Sequence, residues 1–275
     1  MHVETLGSSI DLDAYLDRIA WKGERSPTFA TLASVLRAHM AAIPFENLDV
    51  LLGRGVRLDL EGLQAKLVHA RRGGYCFEHC TLFAAALERL GFQPASHTAR
   101  VILLSPRAAA PRTHMFLTVT LPEGTFVLDP GFGGLAARVP VPLAEDRKAT
   151  VDHETHWMVR DGGAWVLRVD VTDRKGGDAW VSTLDPDYPV DFELGNHYTA
   201  THPASPFRKL MMLRMLTPDG RVTVMNRDAT VWKNGTPRRW LLADRGELRA
   251  LLAEHFGFDL PEVEGMRVPA VPEWA

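Results

Sequence analysis

Cys76 follows the glycine pair Gly73-Gly74 and precedes a segment whose apolar residues, Phe77, Leu82, Phe83, Ala86, Leu87 and Leu90, recur at roughly helical spacing. The thiol is thereby expected in the first turn of a helix that Gly91 ends, where unpaired backbone N–H groups and the positive end of the helix dipole favour a thiolate. Such a sulfur is a nucleophile, and it needs a base beside it and a third group to orient that base. Of the eleven histidines, His114 is the best placed, because Arg112-Thr113-His114 leads straight into a strand expected over 115–121. Asp129 ends the next expected strand, 125–128, across the turn signal Pro122-Glu123-Gly124. His114 lies ten residues before Gly124 and Asp129 five after it, so a simple hairpin does not align them and a bulge or longer loop is expected. Two plainer readings stand beside this one. Asp129-Pro130 can open the turn Gly131-Phe132-Gly133-Gly134, and a lone cysteine can be a small buried apolar residue.

Around these residues, Asp11 and Asp13 start a helix with Leu12, Tyr15, Leu16 and Ile19 on one face, and Ser26-Pro27 opens a second with Leu32, Val35, Leu36 and Met40. Pro44 breaks the periodicity, and a third helix over 58–70 delivers the chain to Arg72. The first part is therefore expected to be a helical bundle. Beyond Gly91 the pattern alternates: strands are expected over 101–104, 115–121, 125–128, 157–159, 165–171 and 179–182, forming a small antiparallel barrel or sandwich. Further strands over 210–216 and 222–225 flank Pro218-Asp219-Gly220, and a last helix runs over 245–256.

With 275 residues, 46% of them hydrophobic, the chain can bury a large core, and a net charge of −3 argues against a polyanion binder. Two cysteines exclude a disulfide framework and fit a reducing compartment. Residues 1–10 lack the pattern of a secretion signal, and no apolar run is long enough to span a bilayer, so a cytoplasmic protein without nucleic-acid or membrane partners is expected.

Four stretches in order, Ile43-Pro44-Phe45-Glu46-Asn47-Leu48, Arg72-Gly73-Gly74-Tyr75-Cys76-Phe77-Glu78-His79, Arg112-Thr113-His114 and Asp129-Pro130-Gly131-Phe132-Gly133-Gly134, resemble the arylamine N-acetyltransferase family. The similarity runs from about Leu12 to the last helix. It implies an α+β fold with an N-terminal helical bundle (1–92), a central antiparallel β-barrel (93–200) and a C-terminal α/β lid (201–275) around a papain-like Cys-His-Asp core. It also implies catalytic roles for Cys76, His114 and Asp129, with acetyl-CoA as co-substrate, an arylamine or arylhydrazine as acceptor, and no metal. The same resemblance assigns Phe45, Val101 and Phe132 to the acceptor pocket, where two aromatic walls suit a flat ring, and Tyr198 and Ser205 to coenzyme contacts. The chain departs from the family pattern at Cys80, where asparagine is usual, and at Pro130, which removes a backbone N–H beside Asp129.

Within the same fold an amide synthase or another acyl-CoA N-acyltransferase is the alternative. A thiol hydrolase would use the same three residues. Cys76, His79, Cys80 and His114 could also be read as a zinc set, and Cys76 and Cys80, four apart on a helix, as a strained redox pair. Composition permits a monomer or a homodimer.

Overall fold

The computed structural model describes residues 9–103, 105–151, 154–171 and 174–275. Helix α1 (Leu12–Arg18) is capped by Asp11, whose carboxylate accepts the Ala14 N–H at 3.0 Å, and α2 (Phe29–Ala42) is capped by the Thr28 hydroxyl. A two-residue strand, β1 (Phe45–Glu46), and the single turn α3 (Leu48–Leu51) follow. The third helix is not continuous: α4 (Leu60–Leu63) widens into a π-helical stretch, Gln64–His69. Helix α5 (Cys76–Arg89) then begins on the cysteine itself, and α1, α2 and α5 pack around Tyr15, Leu36, Phe77 and Phe83.

Inside this bundle three side chains form an ordered chain of hydrogen bonds. His79 Nε2 lies 3.1 Å from the Pro44 carbonyl, which can only accept, so His79 Nδ1 accepts from His39 Nε2 at 2.8 Å, and His39 Nδ1 accepts from the Tyr15 hydroxyl at 2.8 Å. Burial, reinforced by Lys66 and Arg18 nearby, holds His79 down at about 4, and burial also keeps His39 well below the usual range. A histidine depressed in the folded state takes up its proton first in the unfolded chain. Its stabilisation is therefore present above about pH 6.5 and is lost as pH falls through about 4. Urea unfolding at stepped pH should show about 3 kcal/mol of this loss from His79, whose proton affinity drops from 6.5 to about 4. His79→Asn, which keeps an acceptor and cannot be charged, should lose correspondingly less.

The strand expected at 101–104 starts earlier: β2 is Pro94–Val101, and Leu104 lies outside the described residues. Next come β3 (Arg112–Leu121), β4 (Gly124–Leu128), β5 (Val141–Pro142), β6 (Lys148–Val151), β7 (Glu154–Asp161), β8 (Ala164–Val171) and β9 (Arg174–Ser182). They form one antiparallel sheet in the order β5-β4-β3-β2-β9-β8-β7-β6, whose two end strands approach each other so that the sheet nearly closes into a barrel. Its interior is filled by Phe116, Met158, Leu167, Val169 and Trp180.

Helix α6 (Pro189–Thr201), which the apolar pattern did not announce, follows the barrel. A second antiparallel sheet is built from β10 (Met212–Thr217), β11 (Gly220–Met225), β12 (Asp228–Lys233) and β13 (Thr236–Leu241), with β1 as its far edge. Helix α7 (Arg245–Leu251) and the π-helical Leu252–Phe256 cover it through Leu248, Leu252 and Phe256. The α+β class with bundle, barrel and C-terminal α/β part is as expected. The pairing of Phe45 with Arg214 shows that an N-terminal segment is woven into the C-terminal sheet.

Candidate active site

Hairpin register brings His114 and Asp129 together. Leu117 pairs with Leu128 across β3 and β4, so Asp129 continues opposite Phe116, and His114, two residues from Phe116, lies on the same face within diagonal reach. No irregularity is needed between these two strands. The bulge lies on the other side of β3: Ala99 pairs with His114 and Arg100 with Arg112, so Thr113 is the extra residue. The Thr113 carbonyl stands 3.8 Å from Cys76 Sγ.

His114 Nε2 is 2.9 Å from Asp129 Oδ2, and the imidazole also hydrogen-bonds to Cys76, which leaves Nδ1 as the nitrogen that faces the sulfur. All three side chains are buried. Burial alone would lower the His114 imidazole, but the Asp129 carboxylate and the Cys76 side chain outweigh it and raise His114 to about 10. At neutral pH the ring is therefore an imidazolium that can hold a thiolate and later give up or take back a proton.

Cys76 is held from both sides. Gly131 packs so close that a Cβ there would overlap the Cys76 Cα and stand 3.1 Å from its nitrogen. Both contacts are with backbone and cannot be relieved by a rotamer change. Gly131→Ala should cost about 2–3 kcal/mol of stability and displace the sulfur, with acetyl transfer down about 100-fold, checked by unfolding curves and initial rates.

On the other side lies a buried charge network built from residues far apart in the chain. Arg72 Nη2 reaches Glu46 Oε1 at 2.6 Å and Asp49 Oδ1 at 3.1 Å, while Lys66 Nζ sits 2.7 Å from both Asp49 Oδ2 and Glu78 Oε1. Glu78 Oε2 then accepts the Tyr75 N–H at 3.1 Å, closing the first turn of α5 just before Cys76. Burial, opposed by Lys66 and aided by Glu46, pushes Glu78 up to about 7. A Cβ on Gly74 would press into that carboxylate, and one on Gly73 into the Pro44 carbonyl, which explains the glycine pair.

Cys80 spends its thiol on other partners than Cys76. Both thiols are free, and Cys80 Sγ donates to the Met115 carbonyl at 3.2 Å and accepts from the Gly131 backbone, its thiol pushed well up by burial. Cys80 thus ties α5 to β3 and to the loop after Asp129. His79 points to His39 and Pro44, so the four residues of the zinc reading do not converge, and among the described residues no group of three or more His, Cys, Asp or Glu is placed to hold a metal ion.

Phe132 lies with its ring 4.7 Å from His114, and Phe45 packs on Gly133, whose φ of 62° only glycine adopts easily. Val101 ends β2 directly opposite Trp180. Phe207, not singled out in the sequence, joins Phe45 at 6.3 Å and Tyr75 at 5.3 Å. Tyr198 is half-buried and stacks on His202 at 4.2 Å. The Ser205 hydroxyl is buried and already used, donating to the Thr199 carbonyl at 2.6 Å and accepting the Phe207 N–H. A cleft of about 1200 Å³ runs between α5 and α6, lined by Thr81, Ala85, Asn196, His197 and Thr201, and none of Cys76, His114 or Asp129 lines it. Its link to the site is Asn196, which accepts from the Tyr75 hydroxyl.

The sequence profile of the N-acetyltransferase family matches residues 28–264. The arylamine N-acetyltransferase of Escherichia coli (strain K12) is 37% identical over 259 residues, covering 92% of this chain and 90% of that one. The solved arylamine N-acetyltransferase of Nocardia farcinica superposes with a TM-score of 0.85 at 38% identity, covering 98% of this chain and 96% of that one. The Mycobacterium marinum arylamine N-acetyltransferase in complex with CoA does so with a TM-score of 0.85 at 34% identity, covering 92% and 94%. With a matched profile over most of its length and a similar sequence and fold throughout, the chain belongs to the arylamine N-acetyltransferase family.

Proposed function

We propose that this protein transfers an acetyl group from acetyl-CoA to the nitrogen of an arylamine or arylhydrazine, with Cys76 as the acyl carrier. The observation that carries the reading is the buried Cys76-His114-Asp129 array, in which His114 is 2.9 Å from Asp129 and hydrogen-bonded to Cys76. The Cys76 thiolate attacks the thioester carbonyl, a tetrahedral adduct forms, and CoA leaves as a thiol after taking the proton from His114. Thiol-thioester exchange is nearly isoenergetic, so the acetyl group stays activated on the enzyme. The amine then attacks, His114 takes its proton, and the Cys76 thiolate is regenerated. Asp129 keeps the ring oriented in both halves and stabilises the imidazolium whenever His114 carries the proton.

In this reading 1–92 supply the nucleophile, 93–200 the base and carboxylate, and 201–275 the cover. Phe45, Val101 and Phe132 border the acceptor ring. Tyr198 offers a half-buried ring to the coenzyme, and Ser205 acts by holding the 202–207 turn. Initial rates with both substrates varied test the scheme: parallel double-reciprocal lines and a burst of CoA before the amine is added are expected. Converging lines without a burst would count against an acyl-enzyme.

A further inference from the structure

Asp129 is short of support on every side but one. Residue 80 is a thiol spent on the Met115 carbonyl and the Gly131 backbone. Residue 130 is a proline with no N–H to give. Asp129 Oδ1 is buried and has no hydrogen-bond partner among the described residues. Besides His114, the one donor to the carboxylate among the described residues is the Trp180 indole, whose Nε1 stands 2.9 Å from Oδ2.

We propose that Trp180 is a positioning residue for acetyl transfer: its N–H holds Asp129 Oδ2 in line with His114, and its ring seals that pair from water. The inference rests on the acyl-carrier reading of Cys76. Trp180 is 0% exposed and is fixed by its strand, between Val101 on β2 and Leu167 on β8. Its ring stacks on Phe116 at 4.3 Å and lies 6.2 Å from the His114 ring. Phe116 and His114 alternate on one face of β3, so a single indole covers both and its N–H has one carboxylate to meet. Both donors share Oδ2, which pins the carboxylate at one oxygen and sets the angle at which His114 meets the sulfur.

The titratable groups facing Asp129 are His114 from β3, Cys76 and Cys80 from α5, and His156 from β7. His156 is committed to the Leu135 carbonyl at 2.9 Å, and Cys80 stays a neutral thiol. Loss of the indole N–H therefore acts on the carboxylate and on the His114-Cys76 pair it supports. Without that N–H the carboxylate is held by His114 alone and is free to turn away from it, so the imidazolium loses its oriented partner and supports the sulfur less well as the solution becomes more acidic.

The test replaces Trp180 with β-(3-benzothienyl)alanine, which keeps the ring shape and puts sulfur where the N–H was, and in parallel makes Trp180→Phe. The readouts are alkylation of Cys76 by iodoacetamide across pH and acetylation by acetyl-CoA. In both variants alkylation at pH 7 should fall about ten-fold or more, and its acid limb should move up by about one pH unit. A benzothienyl variant that melts with the wild type and keeps its acid limb in place overturns the proposal, because a packing role alone would lower amplitude or stability without moving the limb. Alkylation needs no coenzyme. A shifted limb therefore upholds the positioning role even if wild-type Cys76 takes no acetyl group, the result that would fail the acyl-carrier reading instead.

Discussion

Replacing Cys76 with serine is expected to reduce acetyl transfer by at least about 10⁴-fold while leaving the unfolding midpoint within ~3 °C of the wild type. Serine is smaller than cysteine, so it keeps the close backbone contact with Gly131 and leaves its oxygen beside the Thr113 carbonyl. It is a far weaker acid than a thiol, so the imidazolium of His114, set to hold an anion beside it, has none to hold. Transfer to a serine hydroxyl would also exchange a thioester for a more stable ester, from which an amine removes the acetyl group slowly. Steady-state rates with acetyl-CoA and an arylamine, read beside thermal melts, check both halves. A serine variant that melts normally and transfers at the wild-type rate would remove Cys76 from the chemistry.

The second large effect concerns stability and reaches the site through the backbone. Arg72→Met should cost about 3–5 kcal/mol, the usual loss when one partner of a buried ion pair is removed. Glu46 is fully buried, and Arg72 is the cation that grips its Oε1, through Nε at 3.0 Å and Nη2 at 2.6 Å. Without it Glu46 keeps only the Leu48 N–H on Oε2, with Lys66 4.0 Å from Oε1. Lys66 would then face Glu46 and Glu78 alone and share Asp49 only with Arg54, 3.7 Å from its Oδ1. The segment that Arg72 anchors also carries Gly73 and Gly74, whose contacts with Pro44 and Glu78 fix the start of α5, so activity at a temperature where the variant is still folded should fall as well. Urea unfolding at pH 7 measures the first effect. A loss under about 1 kcal/mol would mean that the network is not the anchor described here.

The parts legible in the sequence share a physical reason: each depends on short-range pattern. A glycine pair before an apolar helix fixed where Cys76 would sit, alternation fixed β3 and β4, and the turn at Pro122-Glu123 placed His114 and Asp129 at neighbouring strand ends. What the sequence hid depends on contacts between distant segments. The bulge at Thr113 belongs to the β2 side of β3, which no local signal distinguishes from the β4 side. Trp180 meets Asp129 across 51 residues, through a barrel whose strand order could not be read from alternation. No local signal marks Lys66 or Arg72 as buried; α4 and its π-helical extension bring them over Asp49 and Glu78. Helix α6 lacks an apolar stripe: Tyr188 at its N-cap and Val190 and Leu194 within it are exposed, while few of its residues are buried. Ser205 has the chemistry of a ligand contact, yet its hydroxyl is consumed in a cap.

The central claim is that Cys76 carries the acetyl group between thioester and amine. The most direct measurement is to mix the protein with acetyl-CoA, quench, and locate the added mass by peptide mapping, then repeat after adding an arylamine. The account predicts one acetyl group per chain, on Cys76 and not on Cys80, lost faster to the amine than to water. An enzyme that transfers acetyl groups while Cys76 stays unmodified at every time point, or whose adduct is untouched by the amine, would contradict it.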